Sequence, residues 1–446
     1  MEKRRWDVRL PIVAATALVA LSSCSSFQAT PSAQSESFGY VLTVSVEATE
    51  SAQNLEQRYA GRVLVFHPEE GFAILGVNQA PDSTDPAVQG LESNAGAFEA
   101  PEARVNTDAG SLTPQGTANA SGWSAWGGGW SAWGGGWSAW GSGGSSLTPT
   151  ENQAAWAKIR LAQAQKLAPN LGAGVTVAVV DTGLDLNHSV FQGHLAPSAN
   201  WKDFVDGDAV PQDTPAASGS NAAYGHGTSV AGIVLQVAPK ATILPIRVLG
   251  PDGSGDLSAV TSGVDWAVSH GAKIINLSLG SLSSSSAIDA VIKSATQNGV
   301  MVITSSGNGS VEKMTYPAFQ THGKGDHHTG SLLMSVGSVN TSDIKSSFTN
   351  YGAPLELLAP GESIYGPAPG MKLGPWSGTS MAAPMVSGGL ALALGQPTVK
   401  STPDALECAI DSTADPIDSV NDSKLKNKLG FGRLNLENFL KSLGLK

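Results

Sequence analysis

Cysteine is all but missing. Cys24 and Cys408 are the only two in 446 residues, which excludes a disulfide framework. Charge is also scarce. Only 14% of residues are charged and the net charge is −11, so the clustered Lys and Arg that a phosphate backbone demands are lacking and nucleic acid is excluded as a partner. Hydrophobic residues make up 41%, which excludes general disorder; over this length they can fill the core of two or three domains. The apolar run at 11–21 is too short to span a bilayer.

That run follows Lys3, Arg4 and Arg5, and together they read as an export signal over 1–24. Its end, Leu21-Ser22-Ser23-Cys24, resembles a bacterial lipoprotein signal, which implies lipidation of Cys24 and attachment to a membrane through the lipid. An ordinary signal peptide cut nearby is the alternative. With Cys24 lipidated, Cys408 has no partner and is expected as a buried thiol.

A Ser-rich tether, 25–38, leads to a segment of different character, 39–107. Tyr40-Val41-Leu42-Thr43-Val44-Ser45-Val46 alternates like a strand. A helix over 47–59, strands over 62–66 and 72–77, a helix around 88–93 and a strand around 97–105 predict a βαββαβ, ferredoxin-like α+β domain. The linker 108–150 carries three copies of Gly-Trp-Ser-Ala-Trp-Gly at 122–142, holding six of the eleven tryptophans. Its glycines exclude a stable helix. Gly and Ser suit a flexible spacer, while paired tryptophans could stack on sugar rings or lie at a membrane interface.

From 151 to 446 the pattern changes again. Helical composition over 152–167 offers Trp156, Ile159 and Leu167 to a core. Apolar runs without alternation follow at 175–180, 241–248, 273–277 and 300–304, as suits strands covered on both faces. Helical segments at 257–270 and 287–297 fall between them, predicting a doubly wound, mainly parallel α/β domain. Ligands bind such sheets at the carboxyl ends of the strands. Asp181, Ser278-Leu279-Gly280 and Ser306-Gly307-Asn308-Gly309 each follow a run directly, so one shared site is expected on that rim.

Three motifs supply chemistry there. Val177-Ala178-Val179-Val180-Asp181-Thr182-Gly183 offers an acid, Gly225-His226-Gly227-Thr228-Ser229-Val230-Ala231-Gly232 a base, and Gly378-Thr379-Ser380-Met381-Ala382-Ala383-Pro384 a nucleophile at a helix start. A serine hydroxyl needs such a base to take its proton. Pro384 is expected within the first turn, where its missing N–H has no helical partner. With the order Asp…His…Ser, the chain resembles the subtilisin-like serine proteases (subtilases) over roughly 150–440.

The resemblance implies that Ser380 attacks the scissile carbonyl, His226 moves its proton and Asp181 orients the imidazole. It places Asn308 as donor to the oxyanion. Peptide substrate is expected as an added strand between Ser278-Leu279-Gly280 and Gly253-Ser254-Gly255. The stretch Phe98-Glu99-Ala100-Pro101-Glu102 resembles the last strand of a subtilase propeptide, which inhibits the enzyme before self-processing. No cofactor is expected for catalysis. The acidic run 203–208 could hold structural calcium, though no metal site is assigned, and His322, Asp326, His327 and His328 match no zinc pattern. Departures from the family pattern are an insertion at 212–224, Ser229 in place of a second histidine, and Ser305 before the oxyanion asparagine. The expected protein is an exported, lipid-anchored serine endopeptidase made as a zymogen. Its rival is a surface-binding protein that uses the tryptophan repeat and cleaves only itself.

Overall fold

The computed structural model describes residues 37–82, 84–100, 138–139, 149–218, 220–321, 323 and 331–446. Cys24, the 322–328 histidine cluster apart from Gly323, and most of the tryptophan repeat lie outside them. None of the described helices is long and apolar enough to cross a membrane.

The first sheet comes from strands β1 (Tyr40–Ser45), β2 (Gly61–His67), β3 (Phe72–Val77) and β4 (Val88–Ser93), antiparallel in the order β2-β3-β1-β4. Helix α1 (Ala52–Tyr59), capped by Ser51, covers one face, where Leu42, Val44, Ala73 and Leu75 meet Leu55 and Tyr59. From the other face, Val41, Val65, Phe72 and Ile74 enter the core of the larger sheet. Strand alternation thus serves two buried faces at once.

The expected helix around 88–93 is β4 instead. Residues 78–87 contain Pro81 and Pro86 and leave no room for a helix before it. Gly90 also passes so near the catalytic region that a Cβ there would stand 1.9 Å from Ser286 Oγ. The expected strand at 97–105 is present as β5 (Phe98–Glu99), but it leaves the small sheet and pairs elsewhere. The described part is therefore βαβββ, without a second helix. In the tryptophan repeat, β6 (Ser138–Ala139) lies along a hairpin edge, Ala139 opposite Lys372 and Ser138 opposite Leu373.

The segment read as one helix over 152–167 is two, α2 (Gln153–Lys158) and α3 (Leu161–Leu167), broken where Arg160 takes φ 59°. Ile159 and Trp156 are buried as expected. Then follow β7 (Thr176–Asp181), β8 (Lys202–Asp203), α4 (His226–Val237), β9 (Thr242–Arg247), β10 (Ser254–Gly255), α5 (Leu257–Ser269), β11 (Ile274–Leu277), α6 (Ser286–Gln297), β12 (Met301–Ser305), β13 (Leu333–Val339), β14 (Leu357–Pro360), the hairpin β15 (Ile364–Ala368) and β16 (Lys372–Trp376), α7 (Thr379–Leu394), α8 (Pro403–Ser412), β17 (Gly432–Arg433) and α9 (Leu436–Ser442).

Eight strands form one sheet in the order β17-β14-β13-β12-β11-β7-β9-β8, each pair parallel. Val177 and Val179 face a core shared with α4 and α7, and Ala178 and Val180 face one shared with α5 and α6. Helices on both faces explain why the strands read as unbroken apolar runs. Cys408 is exposed, not buried, because α8 turns Leu406, Glu407, Ile410 and Asp411 inward and leaves position 408 outside.

Candidate active site

Asp181 is the last residue of β7 and His226 the first of α4. The imidazole Nδ1 lies 2.7 Å from Asp181 Oδ1, with side chains 2% and 0% exposed. Thr182 N donates to the same oxygen at 2.7 Å. The approach depends on Gly227, whose Cβ would meet the Gly183 carbonyl at 2.3 Å and Asp181 Cβ at 3.1 Å. Trp376 closes the other side, edge-on to the imidazole with centroids 5.9 Å apart.

Ser380 is the second residue of α7, at the helix end that carries the positive dipole. Its hydroxyl donates to the Ser278 carbonyl at 3.3 Å. His226 Nε2 is buried with no hydrogen-bond partner among the described residues. Acid and base are therefore joined, while nucleophile and base are not yet bonded. Such contacts are often loose before substrate arrives.

Pro384 is the sixth helical residue, not part of the first turn. Its absent N–H leaves the Ser380 carbonyl without its normal i+4 donor. Ser278 Oγ supplies one instead at 3.0 Å, and is itself held by Asn276 Nδ2 at 2.9 Å. Asn276 Oδ1 in turn accepts from Ser387 Oγ at 2.8 Å. A relay of three side chains thus ties the end of β11 to the start of α7.

Asn308 stands against Gly378 and Thr379. Its Oδ1 accepts from Thr379 N at 2.9 Å and Thr379 Oγ1 at 3.0 Å, which fixes the orientation of the carboxamide. A Cβ on Gly378 would come to 3.0 Å from Asn308 Nδ2, so the amide end points along the backbone leading into Ser380.

The two segments expected to flank substrate do flank a strand. Glu99 and Gly280 exchange both backbone hydrogen bonds at 3.0 Å, and Ala100 N donates to Gly253 O at 2.8 Å. Phe98 pairs with Gly255 and is 1% exposed. An adjoining open cavity of about 860 Å³ is lined by Phe98, Glu99, Gly280, Asn308, Met314 and Thr315, among others.

The acidic run packs against Arg247. Asp203 and Asp206 both meet Arg247 Nη1, at 2.8 and 2.5 Å, and Asp203 Oδ1 accepts from Val205 N and Asp206 N. These two carboxylates thus serve a buried cation and a turn. Among the described residues, the one grouping of three ligand-type side chains is His67, Glu69 and Glu70. Asp213, inside the insertion, is a residue that sequence reasoning missed: no motif marks it, yet its buried carboxyl accepts from Thr182 and Gly225, the chain neighbours of Asp181 and His226.

A strand-end aspartate, a helix-start histidine and a helix-start serine on one rim of a doubly wound parallel sheet define a serine hydrolase. The subtilase family model matches residues 172–432. Thermitase of Thermoactinomyces vulgaris is 36% identical over 270 residues, covering 58% of this chain and 87% of its own. Subtilisin BL of Lederbergia lenta is 36% identical over 230 residues, covering 50% and 76%. A solved protease from Pseudoalteromonas arctica is 26% identical with a TM-score of 0.55, covering 67% of this chain and all of its own. The chain belongs to the subtilase family and is a serine endopeptidase. That chemistry needs no cofactor and acts on peptide substrates.

Proposed function

We propose that the protein is an exported, self-processing zymogen in which Asp181, His226 and Ser380 form the catalytic triad. Ser380 Oγ turns from the Ser278 carbonyl to His226 as substrate enters, attacks the scissile carbonyl and forms an acyl-enzyme. His226 takes the hydroxyl proton and returns it to the leaving amine, while Asp181 holds the imidazole in the tautomer that can do so. Asn308 and the backbone N–H of Ser380 receive the oxyanion, and water then releases the acyl group.

The observation that carries the zymogen reading is the path of Phe98–Glu99 and Ala100. They run as an added strand between Gly253-Ser254-Gly255 and Gly280, where a peptide substrate would pair. Residues 39–107 then act as an inhibitory propeptide. The docking of β4 supports this. Asn94 accepts from Leu257 N and Ser258 N at the start of α5, and Glu92 accepts from Ser286 N at 2.8 Å and Ser285 Oγ at 2.7 Å at the start of α6. Two helix starts in the protease region are thus capped from the N-terminal sheet.

Residues 1–24 direct export, and lipid on Cys24 holds the unprocessed chain at a membrane. Cleavage within 108–150 frees residues 151–446 from the lipid. The test is the intact mass of wild type beside Ser380→Ala. Wild type should begin within or after the linker, while the variant keeps its N-terminal sheet. Equal full-length masses for both would end the self-processing reading.

A further inference from the structure

The insertion before His226 contains a carboxyl group that the catalytic scheme leaves unused. Asp213 is 2% exposed. Its Oδ2 accepts from Gly225 N at 3.0 Å, Thr228 Oγ1 at 2.9 Å and Thr182 Oγ1 at 3.4 Å. Both hydroxyls pass the link on: Thr182 Oγ1 accepts from Gly227 N at 3.0 Å, and Thr228 Oγ1 accepts from Asp185 N at 2.9 Å. The backbone of Asp213 is fixed as well, through Asp213 N to Leu184 O at 2.8 Å. One oxygen atom therefore gathers the residue after Asp181, the residue before His226 and the third residue of α4.

We propose that Asp213 is a positioning residue for the Asp181–His226 dyad, its carboxyl setting the approach of the imidazole by clamping the end of β7 to the start of α4. This rests on the dyad assignment above. The three donors on Oδ2 are one side of the argument. The other is Oδ1, which is buried with no hydrogen-bond partner among the described residues. A carboxylate arranged in that way carries its proton, when it has one, on Oδ1. Burial pushes the Asp213 carboxyl up to about 7, the Asp181 charge adding to this while Thr228, Gly225 and Arg247 oppose it. Tyr224 and Asp185 stand near the same group, and burial with the Asp213 and Asp185 charges pushes the Tyr224 hydroxyl up to about 12. The clamp thus gains a negative charge beside the dyad as pH rises through neutrality, and that charge favours the imidazolium formed during turnover.

The experiment is the pH profile of kcat and KM for Asp213→Ala and Asp213→Asn in the processed enzyme released from the full-length chain. Active sites are counted with a covalent serine-directed inhibitor. Asp213→Ala should lower kcat on the order of 10- to 100-fold with KM little changed, as misplacement of a catalytic group does. Asp213→Asn keeps an acceptor for the three donors and should recover most of that loss. It cannot ionise, so the acid limb of its profile should move to lower pH. Wild-type kcat in Asp213→Ala at full active-site count would overturn the proposal. If the alanine variant fails to fold, the asparagine variant decides: a displaced acid limb supports the clamp, and a limb and kcat coincident with wild type overturn it. His226→Ala separates the two readings, because full activity there removes the dyad itself, whatever the Asp213 variants do.

Discussion

Two histidines in this chain each meet a carboxylate at 2.7 Å, and they do different work. His226 and Asp181 are 2% and 0% exposed, on adjoining elements of one domain. His67 and Asp265 are 20% and 24% exposed and join β2 of the small sheet to α5 of the large one. His67 also meets Glu69 at 3.3 Å. Burial pulls the His67 imidazole down, but the hydrogen bond and charge of Asp265, helped by Glu69 and Glu70, outweigh it and raise it above its ordinary value. Distance alone does not tell a reaction centre from a clasp. What separates them is the far nitrogen: on His226 it is buried and unpartnered among the described residues, while both nitrogens of His67 are engaged. An imidazole with one nitrogen held and the other kept open can pass a proton on. One held at both ends can only grip.

The contrast breaks most sharply at turnover. His226→Ala should lower kcat on the order of 10⁶-fold, the magnitude established by mutating the same triad position in subtilisin, a member of this family. His67→Ala should leave turnover of the processed enzyme at wild-type level, as measured by steady-state peptide hydrolysis. A comparable loss from His67→Ala would erase the distinction. Asn308→Ala tests the next layer of the buried site, with kcat expected to fall about 10²- to 10³-fold, again the size known for subtilisin. Unchanged kcat would remove Asn308 from the oxyanion site.

The smallest effect belongs to the clasp. Asp265→Asn should weaken binding of the separated N-terminal segment by about 5-fold, since a partly exposed pair contributes about 1 kcal/mol at most. Its pH dependence follows from the raised imidazole. The His67 contribution is fully present below the ordinary value near 6.5 and is lost as pH rises through the raised one. Wild-type binding measured by competitive inhibition should therefore weaken, as pH rises above the ordinary imidazole value of 6.5, more than binding to Asp265→Asn does. Equal slopes would assign the pH dependence elsewhere.

The parallel sheet was legible because burial on both faces leaves continuous apolar runs, and Asp181, Ser278-Leu279-Gly280 and Ser306-Gly307-Asn308-Gly309 fell at strand ends, where such sheets bind ligands. The hairpin at 364–376 was not, since each strand carries Gly-Pro, which reads as a turn and survives only where pairing is incomplete. Strand β4 escaped because Gly90 is dictated by Ser286, a neighbour far along the chain. Asp213 escaped for the same reason: its partners are brought to it by the fold, and the insertion around it is otherwise Ser- and Ala-rich. The Pro384 expectation failed by one turn. Counting from the motif gave the helix start correctly enough to place Ser380 near it, but could not reveal that Ser278 would stand in for the missing amide.

That substitution ties activity to the integrity of the whole domain. Where an ordinary helix would satisfy the Ser380 carbonyl from within, here the strand supplies the donor through Asn276 and Ser278, with Ser387 anchoring the relay further along α7. The helix start cannot be set without the sheet. Loss of catalysis on heating should then coincide with melting of the domain instead of preceding it, which makes hydrolysis rate a direct thermometer of the fold.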